Sequence, residues 1–511
     1  MNLEDTQTNA VSADFVRLSR WSILHFTARS IMQIVSNAFA LVPMIYGLYK
    51  SDSVMLTIAV VGGGIFLIVL SATLRYLYFS YLIQDSSVQV KEGVFAKKHL
   101  NLHFQRVQNV NIEHPFYFRP LGLVTVKIDG AGSAGEEVSL AALPLERGEG
   151  IREEIRRHGQ STGAAPGSGS DAPEAPSAPA STLILTRSLT DLVIHGLTNN
   201  RAWIILGAVG AAYGQVAENV NAFIAGLGID LGGFMSSQSV IALVALGISA
   251  LMLALVIVAG LSVLGSIFTY YNYQLYGTDE AFMVRRGLLT RHEINVKKSR
   301  IQAVRVRRDW LDMILGRMNV VFEQISHAVP GQASGLGSDK HIMVPSVEPV
   351  HTDMLTQEAL SAEALAQLEF TPVSYRYFKK RALIVTALFL GLGTFIVKSG
   401  FPLGVLLLAP LLALNLFLLY MSWKRWGLAI NDGMVVIRKG VIGVDHILLP
   451  AFKIQEVRRV RTPFMRRRGL SSVSFSVAST QVRVPHLPND VVRGAINFCL
   501  YETESADRSW M

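Results

Sequence analysis

One spacing of glycine and glutamine occurs three times in the chain, and it constrains the fold more than any other feature. In each copy a glycine is followed fifteen residues later by a glutamine, and fourteen residues after that by a second glycine. Each glutamine lies in a similar pentad, RVQNV, RIQAV or KIQEV. The spacing therefore predicts one structural unit used three times. We expect a structural role for the residues that define it, which are Gly93, Gln108, Gly122, Gly287, Gln302, Gly316, Gly440, Gln455 and Gly469.

Each copy is predicted to be a small antiparallel β domain that ends in a helix. Polar and apolar residues alternate over 99–104 and 124–128, which is the period of a half-buried strand. A closing helix is predicted over 145–158 in the first copy and 490–501 in the third. The predicted β domains span 75–158, 269–359 and 422–504.

Two apolar segments precede each predicted β domain. Half of the residues are hydrophobic and 17% are charged, against about 25% in soluble proteins. A membrane span needs ~20 largely apolar residues. Six segments approach that length, at 31–48, 54–73, 202–219, 240–268, 382–397 and 401–421. They predict three transmembrane hairpins, at 30–74, 202–268 and 382–421.

The rest of the chain is predicted to connect these parts. Residues 1–29 form an N-terminal segment, and 505–511 form a tail. Residues 159–182 are a linker of mainly Ala, Pro, Gly and Ser, typical of a flexible tether. Residues 183–201 and 360–381 are predicted to be juxtamembrane segments.

The distribution of charge predicts the orientation. Two spans return the chain to the side it left, so all β domains and both termini share one side. That side holds every lysine and arginine except Lys50 and Lys398. Positive residues near span ends favour the cytoplasmic side. We therefore expect a multi-pass protein of the bacterial inner membrane, with both termini and all three β domains in the cytoplasm. The single cysteine, Cys499, excludes an intramolecular disulfide.

Two basic clusters in the second and third copies are the candidate binding surface. The net charge is +9, and a basic surface beside a membrane is attracted to anionic lipids by about 1 kcal/mol per charge. An acidic partner protein could bind the same basic residues. Nucleic acid is disfavoured as a ligand, because aromatic residues that could stack on bases are not interleaved with these charges. The alternative is that these charges only orient and solvate the domains. The candidate residues are Arg285, Arg286, Lys297, Lys298, Arg300, Arg305, Arg307, Arg458, Arg459, Arg461, Arg466, Arg467 and Arg468.

No catalytic, cofactor or metal site is predicted. His99 and His103 lie on a predicted strand, where four residues span ~13 Å, too far to share one ion. The glycine-rich run 331–340 has no following helix and is interpreted as a hairpin loop between two strands. Glu218 is placed at the outer membrane interface, because the apolar run fades before it.

In each copy, two predicted spans lead into a basic β unit with the Gly and Arg/Lys-x-Gln-x-Val spacing described above. This arrangement resembles a known family. The chain resembles bacterial membrane proteins with pleckstrin-homology (PH)-like domains of the YdbS/YdbT type, in the three-copy arrangement. The resemblance implies a seven-stranded, two-sheet β sandwich with a C-terminal helix for each copy. It also implies a role at the cell envelope, with a YdbS-like membrane protein as partner, and it offers no catalytic residues.

The sequence leaves three functions open. The first is a non-enzymatic membrane scaffold whose basic domains bind a partner protein, anionic lipid or both, with homo-oligomerisation as a further possibility. The second is a transport or export component built from the six helices, which the apolar composition of the spans disfavours. The third is a lipid-sensing module.

Overall fold

The computed structural model describes residues 15–36, 53–84, 86–94, 97–130, 137–161, 182–199, 233, 236–324, 341–361, 365–400 and 405–505. The chain divides into two compact units. The first comprises Met1–Thr182, Met283–Asn295 and His327–Ser338, and the second comprises Leu183–Phe282, Val296–Ser326 and Asp339–Met511.

The first copy contains two antiparallel sheets and a closing helix. Its elements are β1 (Val16–Arg17), α1 (Ser22–Ser36), α2 (Val54–Leu77), β2 (Ser80–Gln84), β3 (Ser87–Glu92), β4 (Lys98–His103), β5 (Val107–Pro115), β6 (Leu123–Gly130), β7 (Glu137–Pro144) and α3 (Leu145–Ser161). Strands β1-β2-β3-β4 form one sheet in that order, and β5, β6 and β7 are neighbours in another. Alternate residues of these strands are buried in one core, including Val88, Leu102, Ile128 and Leu140.

The other two copies repeat this order of elements. The second copy has β8 (Thr182–Thr186), α4 (Leu189–Thr198), α5 (Val240–Tyr270), β9 (Gln274–Gly277), β10 (Ala281–Arg286), β11 (Thr290–Lys297), β12 (Ile301–Arg308), α6 (Trp310–Leu315), β13 (Met318–Gln324), β14 (His341–Val347) and α7 (Pro349–Leu360). The third has β15 (Thr371–Pro372), α8 (Arg376–Lys398), α9 (Val405–Arg425), β16 (Gly427–Asn431), β17 (Met434–Lys439), β18 (Val444–Pro450), β19 (Glu456–Val460), α10 (Pro463–Arg466), β20 (Leu470–Ser476), β21 (Gln481–Pro488) and α11 (Asn489–Ser505).

Consecutive copies are joined edge to edge through their sheets. In the second unit, one seven-stranded sheet has the order β14-β13-β12-β18-β17-β16-β15. Its first three strands belong to the second copy, and its last four belong to the third. In the first unit, residues 290–293 of β11 pair with β5 in the same antiparallel way. The family resemblance implies a separate two-sheet sandwich for each copy, whereas the structure shows sheets that consecutive copies share.

The first strand of each copy precedes the apolar helices. Strand β1 pairs with β2, although α1 and α2 lie between them in the sequence. Strand β15 pairs likewise with β16 across α8 and α9. The boundaries drawn from the sequence leave these strands in segments outside the β domains. Two-residue strands carry no periodicity, so the sequence gives no local signal for them.

Three of the described helices are long and apolar enough to cross a membrane, namely α2, α5 and α8. They contain the second, fourth and fifth predicted spans. Helix α9 covers most of the sixth span, and α1 covers the beginning of the first. The third span, Glu218 and the 331–340 loop lie outside the described residues. Strands β13 and β14, which flank that loop, pair as the predicted hairpin.

The repeated glycines mark backbone turns that need positive φ. Gly287, at the β10–β11 turn, has φ +111°, and a Cβ there would lie 2.0 Å from the carbonyl oxygen of Thr290. Gly316 ends α6 in the left-handed region with φ +64°. Glycine adopts such values without the steric cost that other residues meet. The equivalent glycines also have positive φ, at Gly93, Gly122, Gly440 and Gly469.

Candidate membrane and partner surface

The end of α9 positions the third β domain against an apolar helix. Arg425, in the last turn of α9, donates hydrogen bonds to the carbonyl oxygens of Ile442 and Gly443 in the β17–β18 turn. Arg438 donates back to the carbonyl oxygen of Arg425 at 3.2 Å. At the tip of this turn, the side chains of Val441 and Ile442 are exposed. An apolar hairpin tip is therefore fixed beside the end of the helix.

Aromatic side chains surround the same end of the helix pair. Trp423 packs against Tyr375, Phe378 and Tyr420, with ring centroids 5.0–6.4 Å apart. Its indole N–H donates to the carbonyl oxygen of Val373 at 2.8 Å. Trp and Tyr are enriched at membrane–water interfaces, where one end of the ring is apolar and the other is hydrated. The cluster marks this end of α8 and α9 as an interface.

In the second copy, most candidate basic residues are used within the protein. Arg285 is 3.1 Å from Glu293, and Arg286 is only 7% exposed. Lys298 is 2.9 Å from Glu358, and Arg305 is 2.9 Å from Glu323.

The remaining three candidates of the second copy differ in their surroundings. Arg307 is 3.7 Å from Asp445 in the third copy. Burial lowers the pKa of Arg300. Lys297 is exposed. Four of the seven candidates in the second copy, Arg285, Lys298, Arg305 and Arg307, therefore form ion pairs within the protein.

In the third copy, the candidate basic residues lie mostly at the surface. Arg459 is the exception, because its guanidinium donates to Ser471 Oγ at 3.2 Å and to Asn489 Oδ1 at 2.8 Å. The others form the basic patch, which is defined by Arg458, Arg461, Arg466, Arg467 and Arg468, all of them exposed.

An apolar ring stands in the middle of the basic patch. The side chain of Phe464 is 77% exposed, on the first turn of α10. Met465, which follows it, is buried and anchors this helix to the domain. An exposed aromatic ring flanked by cations is suited to an anionic, partly apolar surface such as a lipid interface.

Lys453, which was not predicted from the sequence to have a role, links the third repeat copy to the second copy within the second unit. Lys453 Nζ donates to the carbonyl oxygens of Ser299 at 2.5 Å and Ile301 at 2.7 Å. The side chain is 4% exposed, and burial lowers its pKa to about 8. Its place in the KIQEV pentad was visible, but the acceptors lie more than 150 residues away.

A buried polar network in the second copy was also missed. His195 Nδ1 lies 2.8 Å from Asn319 Oδ1, and Asn319 Nδ2 donates to Asp312 Oδ2 at 2.9 Å. Asn319 Oδ1 also accepts from the backbone N–H of Ser346, which has φ +50°. All of these residues are less than 9% exposed, and burial raises the pKa of Asp312. The network fixes α4 and α6 to the sheet, so its role here is structural.

The two histidines that the sequence analysis judged too far apart to share one ion lie on the exposed side of β4. His99 and His103 are both exposed on this strand. The part of the chain that the structure describes holds no group of three or more His, Cys, Asp or Glu that could bind a metal ion.

The repeated glutamines differ in their surroundings. Gln302 is fully buried, whereas the equivalent Gln455 is exposed.

Comparison with known proteins agrees with this architecture. The family model for the bacterial PH domain matches three regions, residues 35–158, 223–351 and 382–501. The UPF0699 transmembrane protein YdbT of Bacillus subtilis (strain 168) is 22% identical over 505 residues, which cover 96% of this chain and 99% of that protein. The likeness thus extends over the β domains and the apolar helices together. The chain is a YdbT-like membrane protein with tandem domains, and it belongs to the bacterial PH domain family.

Proposed function

We propose that this protein is a non-enzymatic membrane scaffold whose third β domain binds anionic lipid through the basic patch. The observation that carries the proposal is the exposed Phe464 with Arg466, Arg467 and Arg468 beside it. The ring supplies apolar area for the interface, and each arginine adds about 1 kcal/mol of attraction near an anionic leaflet. Arginine also forms bidentate hydrogen bonds with phosphate oxygens.

The proposed topology has six spans, with the β domains on the cytoplasmic side of the inner membrane. Helices α2, α5 and α8 support three of the spans by length and apolar composition. Arg75, in the last turn of α2, and Lys424 and Arg425, in the last turn of α9, support the cytoplasmic orientation. A YdbS-like membrane protein is proposed as the partner of the scaffold, as the resemblance implies.

Lipid binding by the patch is testable in nanodiscs that contain the full chain. Phe464→Cys carries an environment-sensitive fluorophore, and emission is compared between neutral phosphatidylcholine and a mixture with phosphatidylglycerol. Cys499 contributes little background, because it is 2% exposed and burial raises the pKa of its thiol to about 12. We expect a blue shift that depends on phosphatidylglycerol.

Charge reversal distinguishes lipid binding by the basic patch from an effect of the net charge of the domain. Arg466→Glu, Arg467→Glu and Arg468→Glu together should abolish the blue shift. The matched control reverses Arg483 and Arg493, two other exposed arginines of the same domain. The control should retain the shift. Identical spectra in neutral and anionic nanodiscs would refute the proposal.

A further inference from the structure

The two junctions between copies use the same strand pairing. In the first unit, Glu113 of β5 lies opposite His292 of β11. In the second unit, Arg307 of β12 lies opposite Asp445 of β18. Glu113 and Arg307 are each five residues after the repeated glutamine, and His292 and Asp445 are each five residues after the first repeated glycine. The register is therefore a property of the repeat unit.

Each junction also pairs an acidic side chain with a basic one. His292 Nδ1 is 3.2 Å from Glu113 Oε1, and Arg307 is 3.7 Å from Asp445. The acid comes from β5 in the first junction and from β18 in the second. Strand β12 is strongly basic, with Arg305, Arg307 and Arg308, and it meets a strand whose only charged side chain is Asp445. Opposite charges directly across a strand pair stabilise it, and like charges destabilise it.

The equivalent strand of the third copy, β19, lies at the edge of its sheet. Among the described residues its one neighbouring strand is β20. Gln302 and Ala303 are fully buried at the start of β12, whereas the equivalent Gln455 and Glu456 are exposed at β19. The surface that β18 covers on the second copy is thus uncovered on the third.

The basic side chains of β19 are compatible with strand pairing. An alternative role for charged residues on an edge strand is to prevent aggregation through that edge. However, β12 carries more arginines than β19, and its residues 304–308 pair with β18. Arginines at these positions therefore favour an acidic partner strand rather than forbid a partner.

A second copy of this chain is a poor partner for β19. The only equivalent of β11 and β18 with an open edge in the described residues is β4. In the repeat register, the exposed Lys97, which directly precedes β4, would lie opposite Arg461, which directly follows β19, and Lys98 would lie opposite Val460. Like charges would meet at one end of the junction.

We propose that the open edge of β19 is the docking site for an acidic edge strand from a β domain of another protein, paired antiparallel in the register of the two internal junctions. The proposal deepens the scaffold function and rests on it, because it names the class of partner. An extended strand added to a sheet edge gains affinity from main-chain hydrogen bonds and specificity from its side chains. Acidic residues of the partner would face Arg461 and lie beside Arg458.

An acidified copy of the chain serves as the partner surrogate. The variant Lys97→Glu/Lys98→Glu presents an acidic β4 edge, and its β19 is unchanged. The full chain in detergent is followed by sedimentation velocity. We expect this variant to self-associate head to tail at a concentration about tenfold or more below that needed by the wild type, because repulsion across the junction becomes attraction. Absence of self-association, with thermal unfolding like that of the wild type, would overturn the proposal.

Two further variants locate the contact. Adding Arg458→Glu and Arg461→Glu to the acidified chain should abolish the association, because both edges are then acidic. Adding Arg466→Glu, Arg467→Glu and Arg468→Glu should leave it intact, although these changes abolish the lipid response. Failure of lipid binding is therefore distinguishable from failure of strand docking. Association that survives the Arg458 and Arg461 reversals would contradict docking at β19.

Cysteine pairs test the register. The equivalent of the Val304–Leu448 pair joins Val457 to Asn101. In the acidified background, the chain with Val457→Cys and Asn101→Cys should form disulfide-linked dimers and higher oligomers, which a non-reducing gel resolves as a series of bands. The matched pair Val457→Cys with His99→Cys is two residues out of register and should link far less. Equal linking by both pairs would argue against a defined strand pairing.

Discussion

His446 lies on β18 opposite Val306 of β12, inside the junction of the second and third copies. Burial, and after it the nearby guanidinium groups of Arg438 and Arg308, lower the pKa of its imidazole to about 4. The folded protein therefore holds this imidazole neutral at pH values where the unfolded chain binds a proton.

A pH dependence of stability follows from this difference. Between the ordinary pKa of 6.5 and the folded value of about 4, the unfolded state binds more protons, so stability falls as the pH falls. This residue should remove at most about 3 kcal/mol of unfolding free energy over that window. His446→Gln should flatten the pH dependence of unfolding in detergent between pH 6.5 and 4. An unchanged pH profile in the variant would contradict this assignment.

Asn319 is the centre of the buried polar network in the second copy. Asn319→Ala would remove one hydrogen-bond partner from each of His195, Asp312 and the Ser346 N–H, and each is buried. Buried polar groups that lose a partner cost about 1–3 kcal/mol each, so we expect a loss of about 3 kcal/mol or more. The thermal unfolding midpoint measures the loss. The exposed Asn101 provides the control, and an equal shift for Asn101→Ala would count against the network.

The pairing of β12 with β18 depends on a close approach of two backbones. A Cβ at Gly443 would lie 2.4 Å from the carbonyl oxygen of Arg308 and 3.0 Å from Asp309 Cα. Real Cβ atoms do not approach backbone atoms so closely, so the strands would have to separate. Gly443 therefore allows the third copy to join the second.

Substitution at this position should weaken the junction. Gly443→Ala is expected to cost about 1–3 kcal/mol of unfolding free energy, as overpacking of a close contact does. Hydrogen exchange of the backbone amides of β12 and β18 measures the effect. Gly494→Ala in α11 is the control, since a Cβ there meets nothing within 4 Å. Unchanged amide protection in β12 and β18 of the Gly443 variant would show that the approach is not limiting.

The whole molecule is a membrane protein in which the β domains and the apolar helices alternate along the chain. The proposed topology places the turn after α8 on one side of the membrane and the β domains on the other. Ser399 caps the end of α8, and Gln481 begins β21 on the exposed surface of the third domain. These two positions report the two sides.

Cysteine labelling tests this topology. A membrane-impermeant maleimide added to intact spheroplasts should label Ser399→Cys, and it should label Gln481→Cys only after permeabilisation. The native Cys499 should remain unlabelled, because it is buried and its thiol pKa is raised. The reverse pattern would place the β domains outside the cytoplasm.

Much of the fold follows from local sequence patterns. The predicted strands at 99–104 and 124–128 correspond to β4 and β6, and the predicted closing helices correspond to α3 and α11. These elements are visible because side chains alternate within a few residues. Strands β1 and β15 are invisible in the same way, because each is two residues long and pairs with a strand beyond the apolar helices.

Local sequence patterns are enough to specify the repeat, the apolar helices and the positions of the turns. These are local properties: glycine at Gly287 is needed for a positive φ, and apolar runs are needed for a membrane. Which cations are available to a ligand depends instead on the tertiary fold. Arg305 and Lys298 pair with Glu323 and Glu358, which approach only when the sheet and its helix assemble. Arg461 and Arg466 remain exposed, and among the described residues β19 has β20 as its one neighbouring strand.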